Sequence, residues 1–161
     1  MRAQPEVNAK FSRPPVSAVT VALLAAPAAG HLLGYLFPTL RHVGDRSWPV
    51  HARFHALQSL LFTVGLDTTV LFLVFGPLRR RAGWVRWPLA IYFVFVQGGY
   101  FVALGALPSG RPKGLHNHLA FALSAALFGS GVARSWHELQ QGAAAESPVT
   151  GRGRPEPASR G

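Results

Sequence analysis

Asp67 is the one acidic residue inside any long apolar stretch of this 161-residue chain. It lies ~11 helical residues from one end of its stretch and ~13 from the other, which at ~1.5 Å per residue is close to a bilayer midplane. An ionisable group at that depth costs ~2.5 kcal/mol or more on insertion scales and by default marks a functional site. His55, Ser59, Thr63 and Asp67 follow one another at intervals of four. Each interval overshoots a full turn by ~40°, so these side chains form a slanted polar stripe ~120° wide. Gln97, on a different apolar stretch, falls at nearly the same depth. Asp67 and Gln97 are therefore expected to face each other inside a helix bundle. They would serve either a ligand or a plain interhelical hydrogen bond.

Six of the seven histidines fall toward one side of the membrane. His42, His51 and His55 flank the start of the second stretch, His116 and His118 open the fourth, and His31 lies within the first. Imidazole suits Zn, Cu, Fe or Ni, and His51 and His55 are one helical turn apart, so His51, His55, His116 and His118 are the metal candidates. Only Asp45 accompanies them as an acid. Haem needs two histidines at similar depth on facing helices, and His31 with His118 is the pair nearest that condition. Seven histidines are too few for a membrane di-iron hydroxylase. The absence of cysteine excludes disulfides, thiolate zinc sites and a Cys nucleophile. No Gly-x-Ser-x-Gly elbow or phosphate-cradling glycine loop is present.

The elements that must position these residues are helices. Hydrophobic residues make up 49% of the chain and charged ones 14%, too apolar for a nucleic-acid-binding domain despite a net charge of +10. Four stretches, about 16–37, 54–75, 87–107 and 115–136, are long enough to cross a hydrocarbon core of ~30 Å. Runs such as Val70-Leu71-Phe72-Leu73-Val74-Phe75 have no polar face, which argues against a soluble bundle. The predicted fold is all-α, an integral membrane up-down bundle of four transmembrane helices. Residues 1–15 read as a cytoplasmic N-terminal segment, 16–137 as the transmembrane domain, and 138–161 as a disordered cytoplasmic tail. Loop one, Pro38 to Arg53, reads as the longest connection.

Eleven Lys and Arg residues fall on the side that carries both termini and five on the other, which predicts cytoplasmic termini in the cell membrane. The first stretch, preceded by Arg2, Lys10 and Arg13, also resembles a signal peptide ending at Ala26-Pro27-Ala28. Against cleavage, the apolar run continues to Phe37. In addition, Ala18, Ala22, Ala26, Gly30 and Gly34 recur every fourth residue, a spacing that lets membrane helices pack closely. Trp48, Trp84, Trp87 and Trp136 lie at stretch ends, where indoles anchor at the interface.

The segment Trp48-Pro49-Val50-His51-Ala52-Arg53-Phe54-His55 resembles a Trp-Pro-x-His-Ala-(Arg/Lys)-Phe-His motif of an uncharacterised family of small four-span integral membrane proteins. The architecture is also loosely similar to DoxX-like and EXPERA proteins, a likeness of layout alone. The resemblance implies a four-span bundle and directs attention to His51, Arg53 and His55. A polar mouth formed by His51, Arg53, His55, His116 and His118, above Asp67 and Gln97, suits a lipid-like or quinone-like molecule held in the bundle. One alternative is a membrane oxidoreductase or hydrolase using the outer histidines with a metal or haem. Another is a proton-coupled transporter using Asp67, most suited to a homo-oligomer. The expected partners are the lipid bilayer and such a small molecule, and no nucleic acid.

Overall fold

The computed structural model describes residues 14–106 and 114–144. Loop three with Arg111 and Lys113, the first thirteen residues and residues 145–161 lie outside the described residues. Among the described residues there is no strand. Four helices account for nearly all of the described residues: α1 (Ala18–Gly44), α2 (Val50–Leu78), α3 (Gly83–Ala106) and α4 (Leu115–Ala144). Each is long and apolar enough to cross a membrane. The chain is a small multi-pass membrane protein built as an all-α four-helix bundle.

Its surface follows from that solvent. Phe72, Phe95 and Val102 are 68%, 75% and 71% exposed, while Thr20, Asp67, Gln97 and Ser135 are fully or almost fully buried. Lipid tails are as apolar as Leu or Phe, so large apolar side chains gain little by turning inward, and polar groups gather where other helices satisfy them.

The start of α1, the end of α2, the start of α3 and the end of α4 share one end of the bundle. Ser17 caps α1, its hydroxyl accepting from the Thr20 amide. Glu138 on α4 accepts from the Ser17 hydroxyl at 2.7 Å, the Ser17 amide at 2.9 Å and the Thr20 hydroxyl at 2.6 Å. Arg81, in the turn after α2, donates to the Pro14 and Glu138 carbonyls. Helix α1 packs against α2 on one side and α4 on the other, and α3 packs chiefly against α4.

Helical structure extends past the apolar stretches. Helix α1 includes Pro27 and Pro38 and runs on to Gly44, so the expected long loop one is only a short link, Asp45 to Pro49, before α2. Proline forfeits one backbone bond, and a helix packed among others tolerates that loss. Helix α4 likewise runs on through Ala144, beyond residue 138 where a disordered tail was expected.

The small-residue stripe is not the internal packing face. Ala18, Ala22, Ala26, Gly30 and Gly34 are all exposed, and a Cβ added at Gly30 or Gly34 would meet nothing within 4 Å. Close approach of α1 and α4 occurs instead at Gly131, where an added Cβ would sit 2.8 Å from the Leu24 side chain.

Candidate functional site

Asp67 is completely buried, and each of its carboxyl oxygens has one partner. Tyr92 on α3 donates its hydroxyl hydrogen to Oδ1, and Nδ1 of His31 on α1 lies 2.9 Å from Oδ2. The three side chains come from three helices and meet in the bundle interior. His31 is 16% exposed and is the outermost of the three.

Gln97 is also buried, but its partner is α4: the Ser124 hydroxyl donates to Oε1 at 3.1 Å. Its Nε2 is buried beside the Tyr92 hydroxyl and makes no hydrogen bond of good geometry among the described residues. Tyr92 and Gln97 bracket a wide turn, Phe93–Gln97, in which bonds run from i to i+5. That turn brings two residues five apart to the interior together. Further along, the Tyr100 hydroxyl lies 2.7 Å from Nδ1 of His118.

These bonds form a belt around the bundle. His31 with Asp67 joins α1 to α2, Tyr92 with Asp67 joins α2 to α3, and Gln97 with Ser124 joins α3 to α4. At this depth the fourth seam, between α4 and α1, is open. It forms a cleft of about 500 Å³ whose lining includes Gly30, His31, Gly34, Tyr35, Phe121 and Ser124. That volume falls within the ~300–1,000 Å³ usual for small-molecule sites. A second cleft of about 430 Å³ shares Gly34 and Tyr35 and continues past Thr39 to His42, Trp48, His55 and Ser59.

The other predicted residues sit at the α1–α2 link end. His51 and His55 approach each other at 3.1 Å between their Nε2 atoms and are exposed. Arg53 donates through Nε to the Val43 carbonyl at 2.7 Å and ties the start of α2 to the end of α1. His42 stacks on Trp48 with ring centroids 4.3 Å apart. Asp45 accepts from the Ser47 amide and hydroxyl, and these bonds hold its carboxyl below the usual carboxylate range. His116 is exposed and His118 half-buried. No group of three His, Cys, Asp or Glu able to hold a metal exists among the described residues.

Asp67 and Gln97 thus share the interior, each bonded to other residues. The stripe above Asp67 unwinds outward: Thr63 is half-buried, while Ser59 and His55 are exposed beside the second cleft. His31 and Tyr92 were not foreseen as partners of Asp67. The signal for His31 was its depth within the first stretch; Tyr92 gave none beyond being a polar-tipped ring in a span.

Comparison with family models, with curated proteins and with solved structures finds no match. The site itself points to what the protein can do. Its distinguishing feature is an imidazole at the wall of an apolar cleft, held from behind by a buried carboxyl. With Nδ1–H directed to Asp67, the neutral ring presents Nε2 as an acceptor, and on protonation Nε2 becomes a donor. Such a group can bind a hydroxyl or a carbonyl and can exchange a proton with either.

Proposed function

We propose that the protein binds a lipid-like or quinone-like molecule in the α1–α4 cleft, with the molecule's polar head against His31. The observation that carries this reading is the joint placement of His31, at the cleft wall and bonded to buried Asp67. A predominantly apolar cleft with one oriented polar group is the usual form of a site for an amphipathic ligand. The Tyr35 and Phe121 rings beside His31 suit a flat, conjugated head.

The basic-residue imbalance supports a cell-membrane location with both termini in the cytoplasm. The Trp48–His55 motif supports kinship with the four-span family it resembles, and here its Arg53 acts as a helix-pairing clasp. An oxidoreductase or hydrolase reading has the His51–His55 pair in its favour. A proton-coupled transporter would use the same Asp67 carboxyl.

The test is mass spectrometry of small lipids that co-purify with wild-type protein and with His31→Leu. Wild type should retain a molecule with an oxygen-bearing head, and the variant should lose it while keeping its helical content. Identical lipid profiles from the two proteins would refute the proposal.

A further inference from the structure

The cleft opens sideways. Ala26, Gly30 and Gly34 on one rim and Leu123 on the other are exposed. Gly30 lies on the order of 18 Å along α1 from its start, which is within the ~30 Å hydrocarbon thickness rather than at the headgroups. A ligand reaching this mouth comes from among the lipid tails. The rim offers it a smooth channel, because nothing stands within 4 Å of where a Cβ would be at Gly30 or Gly34.

Inside, His31 and Ser124 line the cleft at one depth, with Tyr35 and Asn117 further toward the α1–α2 link. His31 is at its wall, and Ser124 at its floor leads directly to Gln97. Gln97 is only 1% exposed, and its Nε2 makes no hydrogen bond of good geometry among the described residues, although it stands beside the Tyr92 hydroxyl. Buried donors are nearly always bonded, so an acceptor at this place gains a full hydrogen bond. Ser124 does not compete, since its hydroxyl is already donated to Oε1.

From these observations we infer the ligand's chemical class: a single-tailed amphiphile whose ring head carries two oxygens, entering laterally from the bilayer. His31 Nε2 bonds one oxygen, Gln97 Nε2 donates to the other after a small shift of Ser124, and the tail lies along Gly30 and Gly34. The inference rests on the proposed binding of an amphiphile at His31 and adds the second anchor, the tail path and the entry route.

Two probes with the same dimethoxy-methyl-benzoquinol head, one without a tail and one with a decyl tail, separate these parts. Equilibrium binding is measured on full-length protein in nanodiscs. Gly30→Leu starts its side chain in open space, with nothing within 4 Å of its Cβ, and it should weaken the decyl probe by about tenfold while changing the tail-less probe by less than about threefold. Gln97→Leu should weaken both probes by about tenfold, while Ser124→Ala, which removes the same α3–α4 bond but keeps the Gln97 amide, should weaken them by less than about threefold. Unchanged binding of both probes by Gln97→Leu, or equal weakening by Ser124→Ala, overturns the second anchor. Undiminished decyl binding by Gly30→Leu, with His31→Leu still abolishing it, overturns the tail path but leaves the amphiphile reading standing. Failure of wild type to bind either probe overturns both.

Discussion

Replacing Asp67 separates its two roles, as a structural acceptor and as the residue that sets the state of His31. Asp67→Leu deletes the bonds from Tyr92 and His31 and leaves two donors without an acceptor. In soluble proteins an orphaned buried donor costs ~1–3 kcal/mol. Inside bilayers the unfolded helices also find partners, so interhelical bonds average ~0.6 kcal/mol and reach ~1.7. Two bonds therefore bound the loss at roughly 1–3 kcal/mol, and the bilayer values govern because the reference state is also in the membrane.

Asp67→Asn behaves differently. Its amide oxygen still accepts from Tyr92, while its NH₂ now faces Nδ1 of His31 and can only donate to it. The imidazole must switch tautomer, carrying its hydrogen on Nε2 and presenting a donor to the cleft. The expected stability loss is under ~1 kcal/mol, about one bilayer bond. Head preference should move from hydroxyl to carbonyl. Stability is read by reversible unfolding in bicelles, the tautomer by ¹⁵N NMR of His31, and preference by competition between a quinol and its quinone. Equal destabilisation by Asn and Leu, or an unchanged His31 tautomer in the Asn variant, would refute the argument.

Two further predictions concern packing and pH. Gly131→Leu forces a side chain into Leu24, which already stands 2.8 Å from an added Cβ. It should cost ~1–3 kcal/mol by overpacking, with partial rescue by Leu24→Ala in the same unfolding assay. The Asp45 carboxyl is stabilised as the anion chiefly by the Ser47 hydroxyl, so its folded-state pKa lies below the ordinary 3.8. That contribution is present above 3.8 and lost as pH falls through the lower folded value, so hydrogen exchange at Ser47 should accelerate only in that acidic window.

Depth was legible in the sequence and azimuth was not. Hydropathy places Asp67, Gln97 and His31 along the membrane normal, since each helical residue advances a fixed distance. Which neighbours they meet depends on how each helix turns about its axis, and lipid-facing helices apolar all round carry little record of that. Asp67 and Gln97 were thus found as interior groups, while Tyr92 and the Ser124 link came only from the structure. The alanine–glycine stripe of α1 shows the same limit. Small residues at every fourth place permit close packing, yet the seam is set by Leu24 against Gly131. Loop one is shorter than its sequence implies for a local reason: Pro38 reads as a helix end, but α1 continues through it to Gly44.

The pairing of His31 with Asp67 also has a consequence for biogenesis. These residues lie on α1 and α2, which leave the ribosome before α3 and α4, so the hairpin of α1 and α2 can enter the bilayer with its acid already bonded to an imidazole. Tyr92 arrives with α3, and the wall that makes a cleft of that flank arrives only with α4. The buried acid is thus sheltered before α3 and α4 are made, and the candidate binding site is completed only when α4 joins the bundle.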